Sequence, residues 1–167
     1  GSPILQGPDT CFTAAHMAPT AGPRGRLQGR AYRAGLRLAF QPGAGACADV
    51  QAVRQALAEE CGRLHERVLL PSCSDAPRAA CRGGQVAPAL PDEAAASEFP
   101  AGDCLLLPVP RITLEELAGF LWGRVAERCA ASLRAQGADF LRVIVWEGPL
   151  RSASFGGALP AGPSRGP

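Results

Sequence analysis

At 167 residues and 47% apolar content, the chain is long enough to bury one core and too short for two ordinary domains. Its net charge is only +2, and its 17 cations, all arginine, are scattered along the sequence, so no basic block is offered to nucleic acid or to a membrane surface. A transmembrane helix needs a run of about 18 apolar residues, which is absent, and the seven widely spaced cysteines read as thiols of a reducing cytoplasm instead of a disulfide framework.

In chain order, residues 1–9 read as a disordered or tag-derived leader. A strand carrying His16 follows, then a Gly/Pro/Arg loop, then a second strand over 31–40. In that strand Tyr32, Ala34, Leu36, Leu38 and Phe40 alternate with Arg33, Gly35, Arg37 and Ala39, the period-2 pattern of a half-buried strand. The pair predicts a hairpin. From Asp49, a helix N-cap, apolar residues at Val50, Val53, Leu57, Cys61 and Leu64 predict a helix packed on one face and ending near His65.

Residues 71–101 have no sustained periodicity and read as an insertion or long loop; Cys73 and Cys81 lack the spacing and the nearby histidines of a zinc site. The apolar run 103–109 predicts a short buried strand or extended segment. Thr113 with Glu116 three residues on is a capping box that opens a second long helix, which Gly137 stops. Strands over 140–147 and 152–155, joined by a Gly-Pro turn, predict another hairpin, and the Pro/Gly-rich residues 158–167 a disordered tail. One α+β domain over 10–157 results, an antiparallel ββααββ sheet with both helices on one face and its edges unpaired.

Four fragments, FTAAH (12–16) with RGRLQGRAYRAGLRL (24–38), GRLHERVLLP (62–71), TLEELA (113–118) and VIVWEGPLRSASFGG (143–157), fall in an order that resembles the 6-pyruvoyltetrahydropterin synthase and 6-carboxytetrahydropterin synthase family. The resemblance implies the tunnelling fold, in which ββααββ units join edge to edge into a barrel, barrels stack, and active sites lie between subunits. It also implies roles for individual residues. The family's F-x-A-A-H and C-G-R-L-H-G-H motifs supply three zinc-binding histidines and a nucleophilic cysteine. Here His16 keeps the first ligand position, Gln28 and Arg30 replace the other two, and Arg24 stands at the cysteine position. The family's D-H-K-N-L relay keeps its histidine as His65 and has Leu64 for its aspartate. Thr113 and Glu115 match positions that reach a neighbouring subunit's pterin, and Glu147 matches the glutamate that accepts hydrogen bonds from the pterin's amino group and ring N–H.

Each role has a plainer counterpart. His65 reads equally as a surface histidine at a helix C-terminus. Thr113 caps a helix and Glu115 complements its dipole. Glu147, on a strand face shared with Leu141, Val143 and Val145, needs either a ligand or an ion pair. One histidine, a glutamine and an arginine with donors only do not make a catalytic zinc site, so no cofactor, zinc included, is expected. The sequence therefore points to a divergent, cytoplasmic member of the family that binds a pterin or purine-like ring with the zinc-dependent lyase chemistry lost. It would act as a pseudoenzyme or as a partner subunit, in a homo-oligomer or with an intact paralogue. The alternative is an active, zinc-independent pterin-processing lyase in which Arg24 or Arg30 supplies the positive charge and clamps a triphosphate or carboxylate.

Overall fold

Two hairpins lie side by side in the computed structural model, which describes residues 3–18, 26–44, 49–72, 80–82, 85–87 and 99–161. Strand β1 (Cys11–Ala18) pairs antiparallel with β2 (Arg26–Phe40), in a register that sets Ala14 against Arg30 and His16 against Gln28. Strand β8 (Ala138–Glu147) pairs antiparallel with β2, with Tyr32 opposite Glu147 and Leu36 opposite Val143, and β9 (Arg151–Ala158) closes the second hairpin. Gly148, at φ 63°, occupies the left-handed conformation the tight turn demands.

Between the hairpins run α1 (Val50–Leu64), β3 (Arg67–Pro71), the short strands β4 (Ala80–Arg82), β5 (Gln85–Ala87) and β6 (Phe99–Pro100), then β7 (Cys104–Leu107) and α2 (Leu114–Ala135). Asp49 and Thr113 cap the helices as expected, accepting from the backbone N–H of Ala52 at 3.1 Å and of Glu116 at 3.2 Å. Both helices cover one face of the sheet. Under them Ala34, Leu36, Leu141, Val143 and Val145 have no exposed surface and meet Leu57, Leu64, Leu121 and Val125 from the helices. Each such leucine or valine contributes about 1.5 to 3 kcal/mol by leaving water. Trp122 pins α2 to the sheet, its indole N–H donating to the carbonyl of Leu141 at 2.9 Å. A side chain at Gly157 would stand only 3.1 Å from that indole.

Several expectations need correction. The sheet has two strands more than the ββααββ unit: β3 lies parallel to β1 and β7 parallel to β3, giving the order β7-β3-β1-β2-β8-β9. The chain can turn back directly after α1 because Glu66 adopts φ 56° and its N–H donates to the carbonyl of Thr13 at 2.7 Å. Within the stretch read as an insertion, β4, β5 and β6 form a second, three-stranded sheet. The leader is part of the fold from residue 3 onward, because β2 outruns β1: Leu5 and Leu36 exchange backbone hydrogen bonds at 2.8 and 3.0 Å, and Ile4 lies over Gly35. The tail, too, is ordered beyond 157. β9 runs on to Ala158, and buried Leu159 is held by Asp139 and Arg134. Val50 is exposed, so the buried stripe of α1 begins at Val53. Among the described residues, no helix is long and apolar enough to cross a membrane.

Candidate functional site

The face of the sheet that the helices cover does not stay apolar along its whole length. Toward the end of β1, the start of β2 and the end of β8, the same alternation that buries Ala34 and Val145 delivers His16, Gln28, Arg30 and Glu147. Four polar side chains thus continue one apolar stripe, and strand register alone brings them together.

Arg30 is the centre of this group. Its Nε donates to Glu147 Oε1 at 2.7 Å, one terminal nitrogen donates to Gln28 Oε1 at 2.6 Å and the other to the carbonyl of Gly29 at 3.3 Å. Glu147 Oε2 faces a second cation, Arg151, at 3.5 Å across the turn. Glu147 is mostly buried, with 16% of its side chain exposed, whereas Arg30 keeps 40%. The ion pair that an acidic residue on an apolar strand face calls for is therefore present. The pKa of His16 is lowered, first because burial removes the imidazolium from water and then because Arg30 repels it, against an opposing pull from Glu147. The phenol of Tyr32 is pushed up to about 12, by burial first and then by the Glu147 carboxylate, with Arg30 and Arg151 opposing. Tyr32 is 5% exposed, stacks on Phe12 at 5.0 Å, and its hydroxyl has no hydrogen bond among the described residues.

The donor set does not fit a zinc ion. Imidazole and an amide oxygen are available from His16 and Gln28, but a guanidinium offers only N–H donors, and among the described residues no three His, Cys, Asp or Glu side chains gather in one place.

Other residues singled out in the sequence lie elsewhere. His65 is exposed and caps α1; its Nδ1 accepts the N–H of Thr13 at 3.1 Å, and its Nε2 is 3.7 Å from Glu66, so it fastens α1 to the edge of β1. Leu64, at the relay aspartate's position, is fully buried in the core. Thr113 caps α2 and Glu115 is exposed in its first turn; no hydrogen bond or ion pair joins either to Glu147 among the described residues. Arg24 lies outside the described residues. An open depression of about 590 Å³ includes Arg30 in its lining but none of His16, Gln28 and Glu147; its other walls include Thr13, Ala15 and Gly29, which alternate onto the opposite face of the sheet, and Arg67 and Asp103. Two neighbours of the site were not anticipated, Tyr32 and Arg151. Both carried a signal: Tyr32 shares Arg30's strand face, and Arg151 stands four residues after Glu147 across a two-strand turn.

The family model described as 6-pyruvoyl tetrahydropterin synthase matches residues 9–158, so the chain belongs to that family. Among solved structures, 6-pyruvoyltetrahydropterin synthase of Plasmodium vivax is similar with a TM-score of 0.84 at 22% identity, over 95% of this chain and 98% of that one. A catalytic-residue mutant of the same enzyme reaches 0.85 at 22% identity over the same shares. The Plasmodium falciparum synthase gives 0.84 at 21% identity, again over 95% and 98%. No curated protein matches the sequence. The fold is accordingly the α+β tunnelling fold.

Proposed function

We propose that this chain holds a pterin or purine-like ring on Glu147 and that it lacks the family's zinc-dependent lyase chemistry, acting as a pseudoenzyme or as a partner subunit. The observation that carries this reading is the position of Arg30, which stands where the third zinc ligand would be and pairs with Glu147 at 2.7 Å. A permanent positive charge at that place repels a metal ion and leaves His16 and Gln28 as an incomplete donor pair. The carboxylate remains, and it is the group that recognises an amino group beside a ring N–H.

The alternative, an arginine-based lyase, asks Arg24 or Arg30 to clamp an anionic substrate; Arg24 lies outside the described residues, which leaves Arg30 to be weighed. Each of its three nitrogens already donates to Glu147, Gln28 or Gly29, which counts against that role. Assembly is part of the proposal. Strands β7 and β9 are the two edges of the six-stranded sheet, and a second copy or a homologue would pair with them; Thr113 and Glu115 would then face a neighbour's site.

The experiment has two arms. Purified protein should carry far less than one zinc per chain after dialysis, and stoichiometric zinc that survives dialysis overturns the loss of metal. Calorimetry with neopterin should show binding that Glu147→Gln weakens at least about tenfold, because the amide turns one acceptor into a donor facing a donor. Affinity left unchanged by Glu147→Gln removes the anchor assignment.

A further inference from the structure

We infer that Arg30 is an internal competitor for Glu147, so that a ring ligand binds by exchanging with a guanidinium of the protein itself, and that this exchange sets the affinity and selectivity of the site. The inference rests on the reading of Glu147 as the ring's anchor. A guanidinium and the amino-plus-N–H edge of a 2-aminopyrimidinone present the same kind of surface to a carboxylate, planar and made of N–H donors. Both therefore seek the same oxygens, and in the structure the chain's own group holds Oε1 at 2.7 Å.

The surroundings suit an exchange. Arg30 is tethered from the side, by Gln28 Oε1 at 2.6 Å, and two-fifths of its side chain already reaches water, so a displaced guanidinium does not have to be buried elsewhere. Glu147 would not lose all positive charge on exchange, because Arg151 stays 3.5 Å from Oε2. Tyr32, nearly buried and directly opposite Glu147 across β2 and β8, offers an incoming ring a hydroxyl that no described residue uses. A ring that only stacks or fills space gains nothing against Arg30. One that supplies two N–H donors to the carboxylate replaces the single N–H that Arg30 gives Oε1 and adds a second. The site would thus select for the donor edge more sharply than a bare glutamate would.

Neopterin titrations of the wild type, Arg30→Gln, Gln28→Ala and the double variant Arg30→Gln/Glu147→Gln test this, with circular dichroism and thermal melts as controls for folding. Arg30→Gln keeps much of the length and removes the charge, and should bind about tenfold tighter or better. Gln28→Ala loosens the tether and should shift affinity in the same direction by a smaller factor, and the double variant should lose the gain. Should Arg30→Gln fold and bind equally or more weakly, Arg30 is a clamp or a bystander and the inference falls while the anchor stands. Should it not fold, Gln28→Ala decides: tighter binding supports the exchange, unchanged or weaker binding overturns it. Should neither wild type nor Arg30→Gln bind neopterin, the anchor fails and the inference with it.

Discussion

Two carboxylates in this protein are each held by arginines, and their settings differ. Glu60 projects from α1 toward α2 and is 2% exposed. Arg124 grips it through Nε at 3.1 Å and a terminal nitrogen at 3.4 Å, Arg128 adds a contact at 3.2 Å, and Arg63 stands at 3.9 Å. Both its oxygens are taken by residues on two helices packed together, so it is a fastener. Glu147 is held at one oxygen by one nitrogen of Arg30 and more loosely at the other by Arg151, and it sits where the helices no longer cover the strands closely enough to exclude it from water. The same residue types, one carboxylate 2% exposed and the other 16%, give a lock in one place and a replaceable contact in the other. What separates them is how many acceptor positions the protein fills by itself and how far the cations can retreat.

Removing the lock should produce the largest effect. Glu60→Ala removes the buried carboxylate that Arg124 and Arg128 share and leaves them only the exposed Glu127 and Glu59, and should lower stability by about 2 to 3 kcal/mol in urea or thermal unfolding, while neopterin affinity is unchanged. The cost should stay below the roughly 3 to 5 kcal/mol typical of a wholly buried broken pair, since both arginines are about one-third exposed and can turn toward water. A loss no greater than that of Glu147→Gln would erase the distinction between the two clusters.

Next in size is the share of the alkaline limb of stability that Tyr32 carries, beside that of the core thiol Cys61, which burial likewise pushes up to about 12. Tyr32 keeps its proton in the folded state up to about 12, whereas in the unfolded chain it titrates near the ordinary phenol value of about 10. The unfolded state therefore binds fewer protons across that interval, and stability should fall as pH rises from about 10 through 12. Tyr32→Phe should flatten that fall relative to wild type in denaturant titrations at fixed pH steps. An identical slope would place the phenol outside the influence of Glu147 and of burial.

The smallest effect is expected at His16. Its folded pKa lies below the ordinary value, so on acidification from neutral the unfolded state takes up the proton first and stability should decline below about pH 6.5. His16→Gln should reduce the slope in that range. Because Arg30 is one of the causes, Arg30→Gln should reduce it as well, and no change in either variant would separate His16 from the group.

Much of the fold was legible because its signals are local. The alternation in β2, the caps at Asp49 and Thr113 and the stop at Gly137, at φ 86°, each depend on a few neighbouring residues. What was not legible depends on partners distant in sequence. β3 follows a helix with no glycine or asparagine to mark the reversal, because Glu66 is held in the left-handed conformation by the Thr13 carbonyl. Ile4 and Leu5 look like part of a polar leader until Gly35 and Leu36 are seen beneath them. In the site, the need of Glu147 for a partner could be read from its apolar strand face, but the identity of that partner could not: Arg30 meets it only because β2 lies between β1 and β8. His65 illustrates the opposite case, since its motif matches a relay and its imidazole is spent on a backbone amide.

The bond from Trp122 to the Leu141 carbonyl has an optical consequence. The protein's two tryptophans lie on opposite faces of one sheet, Trp122 beneath α2 against Phe155 and Trp146 on the helix-free face with the Arg33 guanidinium 4.7 Å from its ring centre. One indole therefore reports the docking of a helix and the other the integrity of the strands, and replacing either by phenylalanine leaves a single emitter for the remaining layer. If the helical layer and the sheet come apart in one cooperative step, the two emission curves will superimpose along a urea gradient. If α2 lifts off first, the curve of Trp122 will lead.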